Sequence, residues 1–426
     1  MYSKTRRHFL CAGAGLVAAS LLPACSNRNS SGASAHLVVV GGGYAGATTA
    51  RYVRQWSKFN IRVTLVEPNA NFVSCPFSNL VIGGLRRIGD ITNSYKGLER
   101  VGVTRVRDRA TAVDTNKRTV KLADGDTLNY DRLVITPGVD FMFDTIEGYD
   151  EKAQQHIMHA WKAGPQTVKL QAQIEAMKDG GVFAICIPRT PFRCPPAPYE
   201  RASLVASYFK KYKPRSKVLV LDANETIKSK KKLFSQAWEE LYSGVIEYHP
   251  ESQLLEIDPS TLTITLEFDT VKTDVLNAIP PQRAGNIARN AGLKLVNDRW
   301  VDVNWLTMES TNTPNVHVLG DAAFPAPRMP KSGHMANQQG KVAAAAIINL
   351  LADQEPNPEP LVMNTCYSFL DANSVGHVSS VHSYDEKTKM FQPVEGAGGL
   401  SAKRNQQEVE MANAWAQNIW ADTLGL

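Results

Sequence analysis

The chain has 426 residues, 43% hydrophobic and 21% charged, an ordinary globular balance with length for two or three domains and substantial cores. Its formal charge of +6 is inflated by Lys4, Arg6, Arg7 and Arg28, which sit in a stretch, residues 1–35, without a single acid. The +2 that remains leaves no basic footprint for a nucleic-acid partner.

Thr5-Arg6-Arg7-His8-Phe9-Leu10 precedes a weakly apolar stretch, residues 12–22, too short to span a membrane. Adjacent arginines followed by Phe-Leu have the form of a twin-arginine export signal, a route that carries folded proteins and suits a chain that acquires a cofactor first. Ala33-Ser34-Ala35 reads as the cleavage signal, with a mature start at His36; Leu22-Pro23-Ala24-Cys25 is an imperfect lipoprotein-type alternative. No later apolar run reaches spanning length, so the expectation is a periplasmic protein without an integral membrane span. Cys11 and Cys25 leave with the leader. Cys75, Cys186, Cys194 and Cys366 remain, and four cysteines allow three complete pairings.

Residues 37–40 are a short apolar run, the length of a buried parallel strand. Gly41-Gly42-Gly43-Tyr44-Ala45-Gly46 follows, then a helix ending near Trp56, then a second apolar run over 61–66 that ends on Glu67. In this strand, glycine turn, helix, strand, acid order, Gly41 permits a tight turn and Gly43 lets backbone approach a pyrophosphate. Gly46 lets the helix pack closely, and Glu67 is placed to accept from a ribose diol. The helix N-terminus presents free N–H groups to the phosphates.

Further strands are expected at 120–122 and 132–135, the second running into Thr136-Pro137-Gly138. Residues 36–150 form a first nucleotide-binding half. Residues 151–299 read as a second Rossmann-like unit, with strands near 182–187, 217–221 and 261–266 and helices near 199–211 and 234–242. The loop after 182–187, where a nicotinamide-binding domain carries glycines, is Pro188-Arg189-Thr190-Pro191-Phe192-Arg193-Cys194-Pro195-Pro196-Ala197-Pro198. Prolines lack N–H donors and fix φ, so this backbone is ill-suited to a pyrophosphate and no NAD(P) site is expected. The chain returns to the first domain over 300–360, where the strand 316–319 leads into Gly320-Asp321 and Lys331-Ser332-Gly333 opens a long helix through 351. A proline-rich connector, 352–360, precedes a small α+β unit, 361–426, that contains Cys366 and ends in a helix with Trp415 and Trp420.

The set Gly41, Gly43, Gly46, Glu67, Thr136-Pro137-Gly138 and Gly320-Asp321 resembles the glutathione-reductase-type flavoproteins with two dinucleotide-binding domains. The resemblance implies an α/β fold of two Rossmann-like domains plus the small C-terminal unit, with FAD held by Glu67 at its ribose and by Gly320-Asp321 at its ribityl chain. Ser74-Cys75-Pro76, the cysteine-proline run 192–202 and Pro330-Lys331-Ser332-Gly333 are similar to one branch, the flavoprotein subunit of flavocytochrome c sulfide dehydrogenase. That similarity implies a thioether from Cys75 to FAD, a redox-active Cys194–Cys366 disulfide with Glu200 and Trp415 nearby, sulfide as substrate and a c-type cytochrome subunit as acceptor. Trp420 is a rival for the place of Trp415.

Each residue also has a plainer reading. Cys194 and Cys366 can form a structural bridge, stabilising by about 4–5 kcal/mol in the entropic model. Cys75 can be an unmodified thiol, and Cys186, inside an apolar strand, is a core residue. Lys331 either sets positive charge near the flavin pyrimidine or is a solvated helix-start lysine; Glu200 either assists proton movement or complements a helix dipole. His156-x-x-His159 lacks partners for a metal, and Lys228-Ser229-Lys230-Lys231-Lys232 reads as a solvated face. The sequence has no C-x-x-C-H, so a c-type haem belongs to another subunit. Two other functions fit the same residues: sulfide:quinone oxidoreduction, against which the polar segment 406–426 argues, and an accessory flavoprotein acting on a protein-bound sulfur or thiol carrier.

Overall fold

The structure, a computed structural model, describes residues 34–426. The twin-arginine segment, Cys11, Cys25 and the start of the cleavage signal lie outside the described residues.

The strand His36–Val40 is buried at every position, and a strand covered on both faces needs no polar alternation. It lies parallel between Arg62–Val66 and Arg132–Ile135, with Val38 opposite Thr64 on one side and Leu133 on the other. Val103–Val106 and Val316–Val318 extend the parallel array, and two short antiparallel strands, Val303–Asn304 and Glu309–Ser310, complete a seven-stranded sheet. The strand leading to Gly320-Asp321 therefore ends at the same edge as the glycine turn and Thr136. That edge, beyond the carboxyl ends of parallel strands, is where such sheets bind ligands.

A second sheet is wholly parallel, in the order Ile246–His249, Lys217–Asp222, Val182–Ile187, Val275–Ala278. The expected strand at 261–266 is placed elsewhere. Thr263–Leu266 pairs antiparallel with Leu254–Asp258 and Thr270–Lys272, and Val275–Ala278 takes the fourth parallel position. Alternation explains the difference: Ile264 and Leu266 are buried while Thr263 and Thr265 are not, the pattern of a sheet wetted on one face. Thr119–Leu122 behaves likewise, in an antiparallel sheet with Ala110–Asp114 and Thr127–Asn129.

The chain from Leu361 forms a long antiparallel pair, Leu361–Phe369 with Val375–Asp385, that places Cys366 opposite Val378. The terminal helix Gln407–Leu424 is tied down by polar contacts. Asn337 of the long helix Gly333–Leu351 donates to Thr48 at 2.9 Å and to Asp422 at 2.8 Å, and Lys341 meets Asp422 at 2.8 Å. No helix among the described residues is long and apolar enough to cross a membrane.

Candidate active site

A cleft of about 1580 Å³ runs from the glycine turn to the C-terminal sheet. Gly41 has φ +99, and a Cβ there would strike the Thr136 carbonyl oxygen. Gly46 faces the carbonyl of Gly41, so the helix Tyr44–Trp56 rests on the turn itself. Gly43 has open space where its Cβ would be, on the cleft wall. Glu67 is buried and locks the turn: one oxygen accepts from Gly42 N at 2.8 Å, the other from the Asn69 backbone and side-chain amides at 2.8 and 2.6 Å.

Thr136, Pro137, Gly138, Gly320 and Asp321 line the same cleft. Thr136 donates to the carbonyls of Val40 and Gly41, both at 3.0 Å, so strand ends and turn form one unit. Asp321 Oδ2 lies 3.9 Å from Arg193 Nη1, while its Oδ1 is buried and has no hydrogen-bond partner among the described residues. A buried acceptor left bare costs free energy, so it marks a place for a ligand donor.

The three cleft cysteines, Cys75, Cys194 and Cys366, are free thiols in this structure, so the bridge expected between the last two is not formed here. Cys366 Sγ instead lies 3.4 Å from the Asn364 amide, and Asn364 is held by the Ser332 hydroxyl at 2.6 Å. Cys194 has φ 56 and its N–H donates to Lys331 O at 2.7 Å, which folds the proline loop onto the first domain. Burial pushes the Cys194 thiol up, reinforced by the neighbouring Cys366 and Glu200. Cys75 Sγ accepts from Arg193 Nη2 at 3.0 Å. Cys186 is buried within the strand Val182–Ile187.

Glu200, in the first turn of the helix Ala197–Tyr212, accepts from Phe369 N and from Asn79 Nδ2, both at 2.8 Å. Burial pushes its carboxyl above the ordinary value, opposed by those two donors. Trp415 lines the cleft near Tyr367 and His334. Trp420 instead donates to Tyr44 Oη at 3.1 Å and packs on Phe77.

Lys331 is not the solvated helix-start lysine of its plainer reading. It is 6% exposed, its ammonium donates to the carbonyls of Asp321 at 2.8 Å and Ala323 at 2.5 Å, and it sits 3.8 Å from the Trp300 ring centroid. Carbonyl dipoles and a ring face replace water around it, and burial pulls its pKa down to about 7. The solvated reading of 228–232 also fails at one position: Lys230 is buried, with its ammonium on Cys366 O and Ser368 Oγ, each at 2.7 Å.

Two arginines complete the floor. Arg201, 2% exposed, donates to Asn79, His159, Asn277 and Ala160, at 2.8 to 3.0 Å, and carries the Trp161 ring. Arg193 bridges Cys75 and the Trp161 carbonyl. Both lie in the cysteine-proline run 192–202, which is their one sequence signal, and nothing else in the sequence singles them out.

His159 is buried with its ring on Phe141, centroids 4.0 Å apart, whereas His156 is exposed. No cluster of potential metal ligands occurs among the described residues. Burial drops the His159 pKa to about 3 and that of His334 to about 4, against 6.5 in the unfolded chain. Below pH 6.5 the unfolded chain takes up these protons and the folded one does not, so their contribution to stability falls with pH. The urea midpoint of His159→Gln is expected to drop less between pH 7 and pH 5 than that of the parent.

Three family models match: pyridine nucleotide-disulphide oxidoreductase over 35–172, the central part of the sulfide dehydrogenase [flavocytochrome c] flavoprotein chain over 167–280, and the flavocytochrome c sulphide dehydrogenase flavin-binding model over 358–424. The chain is 60% identical over 45 residues to the sulfide dehydrogenase [flavocytochrome c] flavoprotein chain of Chlorobaculum thiosulfatiphilum, covering 92% of that relative and 11% of this chain. The chain belongs to this flavoprotein family. It is a flavin-binding oxidoreductase of the glutathione-reductase type. It is also 26% identical over 317 residues to the mitochondrial sulfide:quinone oxidoreductase of Dictyostelium discoideum, covering 72% of this chain and 70% of that one. The fold of the sulfide:quinone oxidoreductase of Aquifex aeolicus superposes with a TM-score of 0.74 at 19% identity, covering 92% of each chain.

The residues present fit FAD. Open backbone at Gly43, the buried Glu67 carboxylate at the end of the second strand and the bare Asp321 Oδ1 line one cleft, and they are the kinds of group that a dinucleotide's pyrophosphate, ribose and ribityl hydroxyls need.

Proposed function

We propose that this flavoprotein oxidises sulfide through a redox-active disulfide between Cys194 and Cys366 and delivers the electrons, by way of FAD, to a c-type cytochrome subunit in the periplasm. One observation carries the reading: two thiols far apart in sequence line the same cleft as the dinucleotide turn and the bare Asp321 oxygen. Hydrosulfide is a small soft nucleophile that opens a disulfide by exchange, leaving a persulfide on one sulfur and a thiolate on the other. FAD, when bound, supplies a two-electron acceptor that can release electrons singly, as a haem requires.

The chain's own groups have separable tasks. Gly43 and the helix N-terminus receive the pyrophosphate, Glu67 the adenosine ribose and Asp321 the ribityl hydroxyls. Arg193 holds positive charge between Cys75 and Asp321. Glu200, with its raised pKa and a place beside Cys194, holds or accepts a proton as sulfur species change charge. Trp415 and Tyr367 wall the sulfur end of the cleft against water.

Anaerobic titration with sulfide, with and without a cytochrome c, tests the reading. Flavin bleaching coupled to cytochrome reduction supports it. Bleaching that reduces a quinone but no cytochrome favours the second reading, sulfide:quinone oxidoreduction, which the similarity to the Dictyostelium discoideum relative motivates. Absence of bleaching favours a protein-bound sulfur carrier as substrate. We further propose a thioether between Cys75 and FAD. Yellow colour is then expected to stay with acid-precipitated parent protein and to pass to the supernatant with Cys75→Ser; colour in the parent supernatant refutes the link.

A further inference from the structure

One ammonium of the lysine run at 228–232 points inward. Lys230 has φ 55, a left-handed conformation that side-chain-bearing residues seldom adopt, immediately before the helix Lys231–Tyr242. That backbone carries the side chain into the C-terminal sheet. There Nζ donates to Cys366 O at 2.7 Å, Ser368 Oγ at 2.7 Å and Gly376 O at 3.1 Å, which uses all three of its protons. The helix element thus grips the strand that bears Cys366.

The groups facing this ammonium come from every neighbouring element: Cys366, Glu200 of the helix Ala197–Tyr212, Cys194 of the proline loop and Glu408 of the terminal helix. Around Cys366 stand Lys230, Glu200, Asn364 and Ser332. Burial raises the Cys366 thiol, and Lys230 is the leading charge that opposes it. Cys194 is raised by burial and then by Cys366 and Glu200, with Arg193 as the chief counterweight.

We propose that Lys230 is a positioning residue for sulfur exchange, one that fixes the Cys366 strand and makes Cys366 the leaving thiolate, so that sulfide is directed onto Cys194. This rests on the Cys194–Cys366 bridge of the preceding section. In the step, the sulfur of HS⁻ bonds to Cys194 Sγ as the Cys194–Cys366 bond breaks. The electron pair of the broken bond leaves on Cys366 Sγ, so the bridge is reduced by the two electrons that sulfide gives up, and the proton stays on the terminal sulfur. The thiol of lower pKa leaves faster, and an uncompensated thiolate in this buried pocket is disfavoured.

The test uses the reduced holoprotein without oxygen, alkylated with iodoacetamide across pH and read cysteine by cysteine by mass spectrometry. In the parent, Cys366 is expected to react at a pH at least one unit below Cys194; the reverse order overturns the proposal and needs no variant that must fold. In Lys230→Met the Cys366 profile is expected to move up by about one unit, a tenfold slower reaction on its acid limb, and Lys230→Arg restores it. A folded Lys230→Met with an unmoved profile also overturns it. Oxidised parent given one equivalent of sulfide and quenched with alkylating agent should carry the persulfide on Cys194; a persulfide on Cys366 refutes the assignment. The alkylation profiles are read without sulfide, so their failure is distinct from failure of the bridge, which the sulfide titration decides.

Discussion

Cys194→Ser and Cys366→Ser are each expected to lower sulfide-dependent flavin reduction by roughly 10³-fold or more, while FAD stays bound. A serine hydroxyl cannot form the bridge, and its alkoxide is inaccessible at neutral pH. The loss should be the same for the double variant as for either single one, because the two sulfurs act as one group. Binding is spared because the groups assigned to FAD are others: the turn at Gly41–Gly43, Glu67 and Asp321. At Cys194 the backbone contact to Lys331 O is made by the N–H, which serine keeps. A purely structural bridge predicts the opposite pattern, in which the variants lose up to about 4–5 kcal/mol of stability while the folded fraction still reduces flavin at the parent rate. Anaerobic stopped-flow traces beside denaturation midpoints separate the two.

The parts of this molecule legible in the sequence share a physical trait: their signal is local. The buried run before Gly41, the spacing to Glu67 and the helix after Lys331-Ser332 are each set by residues within about thirty positions, and each element stands within a residue or two of its expected place. The two cysteines are legible only through the family resemblance, since nothing in the spacing of Cys194 and Cys366 announces that they share a cleft. What escaped was set by long-range burial. Lys230 looks like a surface lysine because the composition around it is polar, and the residues beside Lys331 do not decide between its two readings; in both, carbonyls, from Cys366 and Gly376 or from Asp321 and Ala323, take the place of water. Arg201 gathers Asn79, Asn277 and two carbonyls from three separate stretches, a set that sequence distance hides. The strand Val275–Ala278 leaves little trace in the sequence because four residues with an asparagine among them carry little periodicity, and a buried Asn277 is readable only once its Arg201 partner is known.

The glycine turn supplies the second large effect, and two of its glycines should part company. Gly46→Ala places a Cβ into the carbonyl oxygen of Gly41 and 2.5 Å from the Thr136 hydroxyl oxygen. Neither neighbour can retreat: Thr136 is bonded to the carbonyls of both Val40 and Gly41, and Gly41 N is held by Val66 O at 2.9 Å. The helix must then lift from the turn, at an expected cost of about 3 kcal/mol or more, and FAD binding fails with the fold. Gly43→Ala meets no atom within 4 Å, and its φ of −70 is comfortable for alanine. The apoprotein should therefore keep its denaturation midpoint to within about 0.5 kcal/mol. The added methyl projects instead from the cleft wall where backbone must approach the pyrophosphate, so FAD affinity should fall at least about tenfold, or 1.4 kcal/mol. Apoprotein denaturation and flavin titration of both variants, each made in the Cys75→Ser background so that flavin binds reversibly, check this. Equal stability losses, or full FAD affinity in Gly43→Ala, would show that the dinucleotide does not lie against this turn.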